Sequence, residues 1–195
     1  MTETIEISPE NTFAVIIAIE DYRFNEGSLG ITPVKYARND ATKFKKMLRE
    51  DFQIPEDNIT MWLDKDATKS AFENELPYNI RQLSKDQKFI FYYAGHGFFF
   101  SSQNKLTCWD THPDNLVGTT VSMNDVLLKP LEETECQQSI IFLDCCSNYI
   151  KDKLSSRDVI SNFNDREFET FLKTKEFNAV FMSCSPGEKS YSNDI

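Results

Sequence analysis

The sequence predicts an α/β fold: a three-layer sandwich with a mostly parallel central sheet and helices on both faces. Three observations predict it. Five short apolar, β-prone runs recur along the 195 residues. Stretches of helical periodicity separate most of them. The runs are too continuous for strands with one wet face, so they suit strands covered on both sides.

The elements follow in order. Residues 13–19 form an unbroken apolar run and read as the first strand. Val34, Ala37, Ala41, Phe44 and Leu48 then recur at spacings of three and four, one apolar face of a helix with Lys and Arg largely on the other. Residues 58–63 read as the second strand, and 68–84 as a helix that Pro77 interrupts. Residues 89–94 are the third strand, which stops at Gly95-His96-Gly97. Residues 98–110 read as a hairpin turning at 101–104. Ser122 with Asp125 resembles a capping box opening a helix through Val126, Leu127 and Leu131. Residues 139–144 are the fourth strand and run into Cys145-Cys146-Ser147. A polar, charged stretch fills 148–165, 166–175 reads as helical, and 179–183 is the fifth strand. No repeat and no Gly/Ser- or Pro-rich linker divides the chain, so 1–195 reads as a single domain.

Composition excludes several function classes. There are 21 basic and 31 acidic side chains, a net charge of −10, which makes nucleic acid and anionic membrane poor partners. The start has no basic and apolar leader, and no apolar run is long enough to span a bilayer. The five cysteines are odd in number and lack a CxxC spacing, which suits free thiols in a reducing, cytoplasmic compartment. Only two histidines exist, His96 and His112, so a polyhistidine metal site is excluded. Ile19-Glu20-Asp21-Tyr22 follows the first strand, where a nucleotide-binding domain needs a Gly-rich phosphate loop.

In parallel sheets the ligand cleft lies beyond the carboxyl ends of the strands. His96 lies two residues past the third strand and Cys146 two residues past the fourth. If those strands are neighbours, their ends are about 5 Å apart. A thiolate attacks a peptide carbonyl, and an imidazole beside it takes the thiol proton and returns it to the leaving amine. The N–H groups of Gly97 and Cys146 can hold the oxyanion, and Gly97 has no side chain in the way. Taken singly, Cys146 also suits a small buried hydrophobe and His96 a structural polar residue. Cys145 should face the opposite way as a buried thiol. His112, in Thr-His-Pro-Asp, reads as a turn residue.

Four segments carry a family resemblance. Tyr92-Tyr93-Ala94-Gly95-His96-Gly97 resembles the histidine motif of the caspase and metacaspase clan of cysteine peptidases. Leu143-Asp144-Cys145-Cys146-Ser147 is similar to the Asp-x-Cys motif of metacaspases and their bacterial relatives, about 50 residues downstream as in caspases. Ala37-Arg38-Asn39-Asp40-Ala41 resembles the Asn-Asp-Ala segment that opens the family's first helix. The stretch from Ser183 to Tyr191 resembles its Ser-x-x-Pro-Gly-x-x-Ser-aromatic loop.

The resemblance implies a caspase-like fold and a cysteine endopeptidase with His96 and Cys146 as dyad and Gly97 in the oxyanion hole. It implies a signalling, stress, cell-death or defence role; the alternative is a catalytically silent binding module on the same fold. Caspases bind an Asp side chain with arginines, but Ser192 stands where one such arginine is expected. Metacaspases line the pocket with two acidic residues, which match Asp40 and Asp144; Ala94, Ser183, Tyr191 and Ser192 complete the pocket. Two carboxylates call for a cation, so the implied substrate is a protein or peptide with Arg or Lys before the scissile bond. Ala94 replaces a family serine, and Ser147-Asn148 departs from the family's His-Ser-Gly continuation. The 148–165 stretch is either a solvated loop or an activation loop cut after Lys151, Lys153 or Arg157. Relatives continue into a further strand and helix, so the chain is expected to lack these, to leave one sheet edge open, and to meet a regulatory protein or fused C-terminal domain. No cofactor is required by this chemistry, and calcium activation finds no EF-hand-like ligand loop.

Overall fold

The computed structural model describes residues 8–26, 30–146 and 163–183, with Cys146 described by its main chain. The strands are β1 (Thr12–Ala18), β2 (Ile59–Leu63), β3 (Lys88–Phe100), β4 (Gln103–Leu106), β5 (Val121–Ser122), β6 (Gln138–Cys146) and β7 (Phe177–Met182). The helices are α1 (Ala37–Glu50), α2 (Leu76–Arg81), α3 (Leu116–Thr119), α4 (Lys129–Glu133) and α5 (Asp165–Phe171). Five strands pair in parallel in the order β2-β1-β3-β6-β7. The far end of β3 turns back through β4 and β5 in antiparallel pairing, so the whole sheet is mixed around a parallel centre.

The parallel centre follows from the apolar runs. Ile16 and Ile17 are adjacent, point to opposite faces and are both fully buried, which requires cover on both sides of β1. Burial of each side chain is worth about 1.5–3 kcal/mol. One face, built from Val15, Ile17, Phe91, Tyr93, Ile141 and Leu143, packs under α2, α4 and α5. The other, built from Ala14, Ile16, Ala18, Tyr92 and Ala94, packs under α1 through Ala37, Ala41 and Leu48. The three layers and the helices on both faces are those the sequence predicts. No described helix is long and apolar enough to cross a membrane.

Local details depart from the sequence reading. Pro77 interrupts the α-helical pattern, as expected, without ending the helix. A wide π-helical turn at Ala71–Glu75 runs straight into α2, and this widening just before Pro77 accommodates a residue with no N–H to donate. The same device recurs at Asn124–Leu128 and Pro130 of α4. The Asp125 N–H donates to Ser122 Oγ at 3.4 Å, one half of the expected capping box. The expected hairpin forms, with Ser101 and Ser102 both at positive φ in its turn. The third strand does not stop at Gly95-His96-Gly97; β3 runs on to Phe100 because β4 takes over as its partner. The C-terminal helix is shorter than expected, Asp165–Phe171, with Asn164 accepting from Arg166 N–H as its cap. The polar stretch expected over 148–165 therefore ends earlier: Phe163 and Asn164 pack on the core, and Asp165 begins α5.

Candidate active site

β3 and β6 are neighbours, and their register pairs Ala94 with Asp144, Gly95 with Cys145 and His96 with Cys146. The two residues singled out for chemistry thus stand at the same level on adjacent strands, at the carboxyl end of β6. Cys145 is buried in the core between the sheet and the α2/α4/α5 layer, as expected for the residue preceding Cys146.

His96 lies within β3, not beyond it, and only 8% of it is exposed. Its Nε2 is 2.7 Å from the Thr32 carbonyl oxygen. A carbonyl can only accept, so Nε2 carries a proton, and Nδ1 is the basic nitrogen of the neutral ring. The Tyr22 ring stacks on the imidazole, with centroids 5.4 Å apart and planes 24° apart. The main chain of His96 is held as well. Its N–H donates to Tyr22 Oη at 2.9 Å, and its carbonyl accepts from Tyr93 Oη at 2.8 Å, Thr107 Oγ1 at 2.9 Å and Thr107 N–H at 3.1 Å. Burial pushes the Tyr22 and Tyr93 hydroxyls well above the usual tyrosine range, so both remain neutral donors.

The loop carrying Thr32 is tied to the strand ends. The Ile31 N–H donates to the Phe24 carbonyl at 2.7 Å and the Val34 N–H to the Glu20 carbonyl at 3.0 Å. Arg38, in the first turn of α1, meets three carboxylates: Glu20 at 3.0 Å, Asp21 at 3.2 Å and Asp64 at 2.9 Å. Asp64 Oδ1 also accepts the Glu20 and Asp21 N–H groups.

The flanking glycines serve close packing. A Cβ on Gly97 would lie 2.5 Å from Phe163 Cζ and 3.1 Å from Cys145 Sγ; one on Gly95 would lie 2.5 Å from Tyr93 Oη. Neither glycine has the positive φ that would demand it on conformational grounds.

The expected acidic pair shares one patch. Phe44, one turn beyond Asp40, stacks on Tyr92 with centroids 4.6 Å apart and meets Phe142 edge-on at 5.2 Å. Asp144 lies two residues past Phe142 on the same face of the sheet. The Tyr92 hydroxyl is pushed up by burial first and then by the negative charges of Asp144 and Asp40. Asp40 and Asp144 are half-buried; Asp40 also has Lys43 at 3.9 Å. Ala94 is buried, in register with Asp144. Ser183 follows β7, exposed, with its N–H donating to the Leu143 carbonyl at 3.0 Å. Tyr191, Ser192, Lys151, Lys153 and Arg157 lie outside the described residues.

His112 is more than a loop residue: its Nδ1 accepts the Asp114 N–H at 3.2 Å and its ring packs on Phe24. Among the described residues no group of three or more His, Cys, Asp or Glu side chains is arranged to hold a metal ion. Tyr22, Thr32, Tyr93 and Thr107 were not legible as site residues. Tyr93 stands within the histidine motif but without a role of its own, and only the fold brings Tyr22, Thr32 and Thr107 to His96.

Comparison with known proteins identifies the family. The caspase domain family, peptidase family C14, matches residues 11–195. The chain belongs to the caspase domain family. No curated protein matches it significantly. The crystal structure of protein GSU0716 from Geobacter sulfurreducens is similar, with a TM-score of 0.54 at 14% identity over 70% of this chain and 50% of that one. That likeness shows the fold alone, and this caspase domain spans about half the length of that chain.

Proposed function

We propose that this caspase domain is a cysteine endopeptidase that cleaves after Arg or Lys. The observation that carries the reading is the in-register pairing of His96 with Cys146 at the end of β6. The Nδ1 of His96 takes the Cys146 thiol proton, and the thiolate sulfur bonds to the scissile carbonyl carbon. The imidazolium then protonates the amine nitrogen as the C–N bond breaks. Water hydrolyses the remaining thioester with Nδ1 again accepting a proton. The Thr32 carbonyl holds Nε2–H throughout, which favours one tautomer and stabilises the imidazolium.

Strand geometry supports an oxyanion hole at Gly97. Successive residues of a strand aim their N–H groups to alternate sides. The N–H and C=O of His96 are taken up on the side of Tyr22 and Thr107. The Gly97 N–H therefore aims to the β6 side at the level of Cys146, where we place the oxyanion site. The paired Asp40 and Asp144 over a shared aromatic patch support a cationic substrate side chain, since two neighbouring carboxylates are relieved by a guanidinium or ammonium. Lys151, Lys153 and Arg157 are then candidate self-cleavage points.

Fluorogenic peptides differing only in Arg, Lys or Asp before the scissile bond test the reading, on wild type and Cys146→Ala, with and without calcium. Arg and Lys peptides should be cleaved by wild type alone. Preference for Asp overturns the pocket, and no cleavage of any peptide favours the silent binding module.

A further inference from the structure

His96 sits where β1 gives out. The last ladder bond from β1 joins the Ile19 N–H to the Ala94 carbonyl, and the chain then leaves the sheet. Two residues on, the His96 N–H has no strand carbonyl on that side. Tyr22 occupies the place: its hydroxyl oxygen accepts the His96 N–H, so its own proton goes to Thr107 Oγ1 at 2.8 Å. Thr107 Oγ1 in turn donates to the His96 carbonyl, and Tyr93 Oη adds a second donor there. The circuit starts and ends on His96, and Tyr22, Tyr93 and Thr107 are all at most 2% exposed. Gly95 makes room for it, since a Cβ would lie 3.2 Å from Tyr22 Oη as well as against Tyr93. Tyr22 also stacks its ring on the imidazole. One side chain thus fixes both the main chain and the ring plane of His96.

We propose that Tyr22 is a positioning residue for His96, holding the imidazole so that Nε2–H stays on the Thr32 carbonyl and Nδ1 stays the proton acceptor. The kinetic consequence rests on the peptidase reading; the coupling of Tyr22 to the imidazole does not.

Tyr22→Phe keeps the stacked ring and removes the acceptor, whereas Tyr22→Leu removes both. With an Arg peptide, Tyr22→Phe should lower kcat about tenfold and Tyr22→Leu about a hundredfold, with KM within about twofold. Thr107→Val breaks the circuit from its other side and should lower kcat in the same direction, which keeps the test open if a Tyr22 variant folds poorly. Imidazole nitrogen NMR gives a readout independent of turnover, because there are only two histidines and His112→Gln identifies the other signal. Wild type should show His96 locked as the Nε2–H tautomer, and Tyr22→Phe should show averaging between tautomers. Wild-type kcat and a locked tautomer in a folded Tyr22→Phe would overturn the proposal, even if its Tm falls. If wild type cleaves no peptide but the tautomer lock is lost in Tyr22→Phe, the positioning role stands and the peptidase reading fails.

Discussion

Replacing Gly97 with alanine puts a methyl group where the Phe163 ring already is. The added carbon would lie 2.5 Å from Phe163 Cζ, 2.9 Å from Cε1 and 3.1 Å from Cys145 Sγ. Carbon pairs prefer about 3.5–4.0 Å, so the ring must withdraw by about 1 Å or more. Overpacking of this kind costs about 1–3 kcal/mol. Alanine recovers about 0.5–1 kcal/mol through its lower entropy in the unfolded chain. The net expectation is a loss of about 1–2 kcal/mol, or a Tm lower by about 2–8 °C in a chain of this size. Phe163 is only half-buried and packs on Phe168, so truncating it opens the space without emptying the core. In a Phe163→Ala background the Gly97→Ala change should become neutral or stabilising, a coupling of at least about 1 kcal/mol in a double-mutant cycle. Thermal melts and urea titrations of the four proteins measure it. An equal cost of Gly97→Ala in both backgrounds would refute the close-packing account and point instead to the backbone.

Arg38→Met removes the cation from Glu20, Asp21 and Asp64 and leaves three carboxylates facing one another. Because Arg38 is nearly half exposed, the expected loss is about 1 kcal/mol, larger in dilute buffer and shrinking in 1 M salt; a loss independent of salt would count against the clamp. Glu167 is raised from 4.5, chiefly by burial, so its charge costs stability at neutral pH, and the native chain gains stability as pH falls through the folded value. Glu167→Gln should therefore raise Tm at pH 7, with the gap to wild type closing below about pH 4.5; a gap of constant size at pH 4 and pH 7 would contradict this.

The strands and their parallel centre were legible because burial on both faces leaves an unmistakable pattern: residues 13–19 and 140–143 are apolar without alternation. The neighbouring of β3 and β6 was legible only as a condition, and the register that pairs His96 with Cys146 needed the fold. What surrounds His96 was not legible at all. Tyr22 and Thr107 lie 85 positions apart, and Tyr22 and His96 lie 74 apart. A hydroxyl among apolar residues carries no periodic signal, so the part Tyr93 plays under His96 does not show in its motif. The glycines beside His96 were visible, but their reason was not, since Phe163 reaches Gly97 from 66 residues away in sequence.

The hydroxyl circuit and the candidate site answer one structural problem. A central strand normally has every N–H and C=O taken up by its neighbours, and a buried group without a partner costs about 1–3 kcal/mol. β3 changes partners at His96: β1 ends at Ala18, β6 is described to Cys146, and β4 begins its pairing at Gly97. A change of partner leaves main-chain groups to be satisfied by something other than a ladder. On the β1 side Tyr22, Tyr93 and Thr107 satisfy them, which makes that side rigid. On the β6 side the Gly97 N–H stands at the last paired level, beside Cys146, and a substrate oxygen is the acceptor we propose for it. One change of partner in the sheet thus accounts for the hydroxyl support under the imidazole, and it sits directly beside the place we propose for the oxyanion.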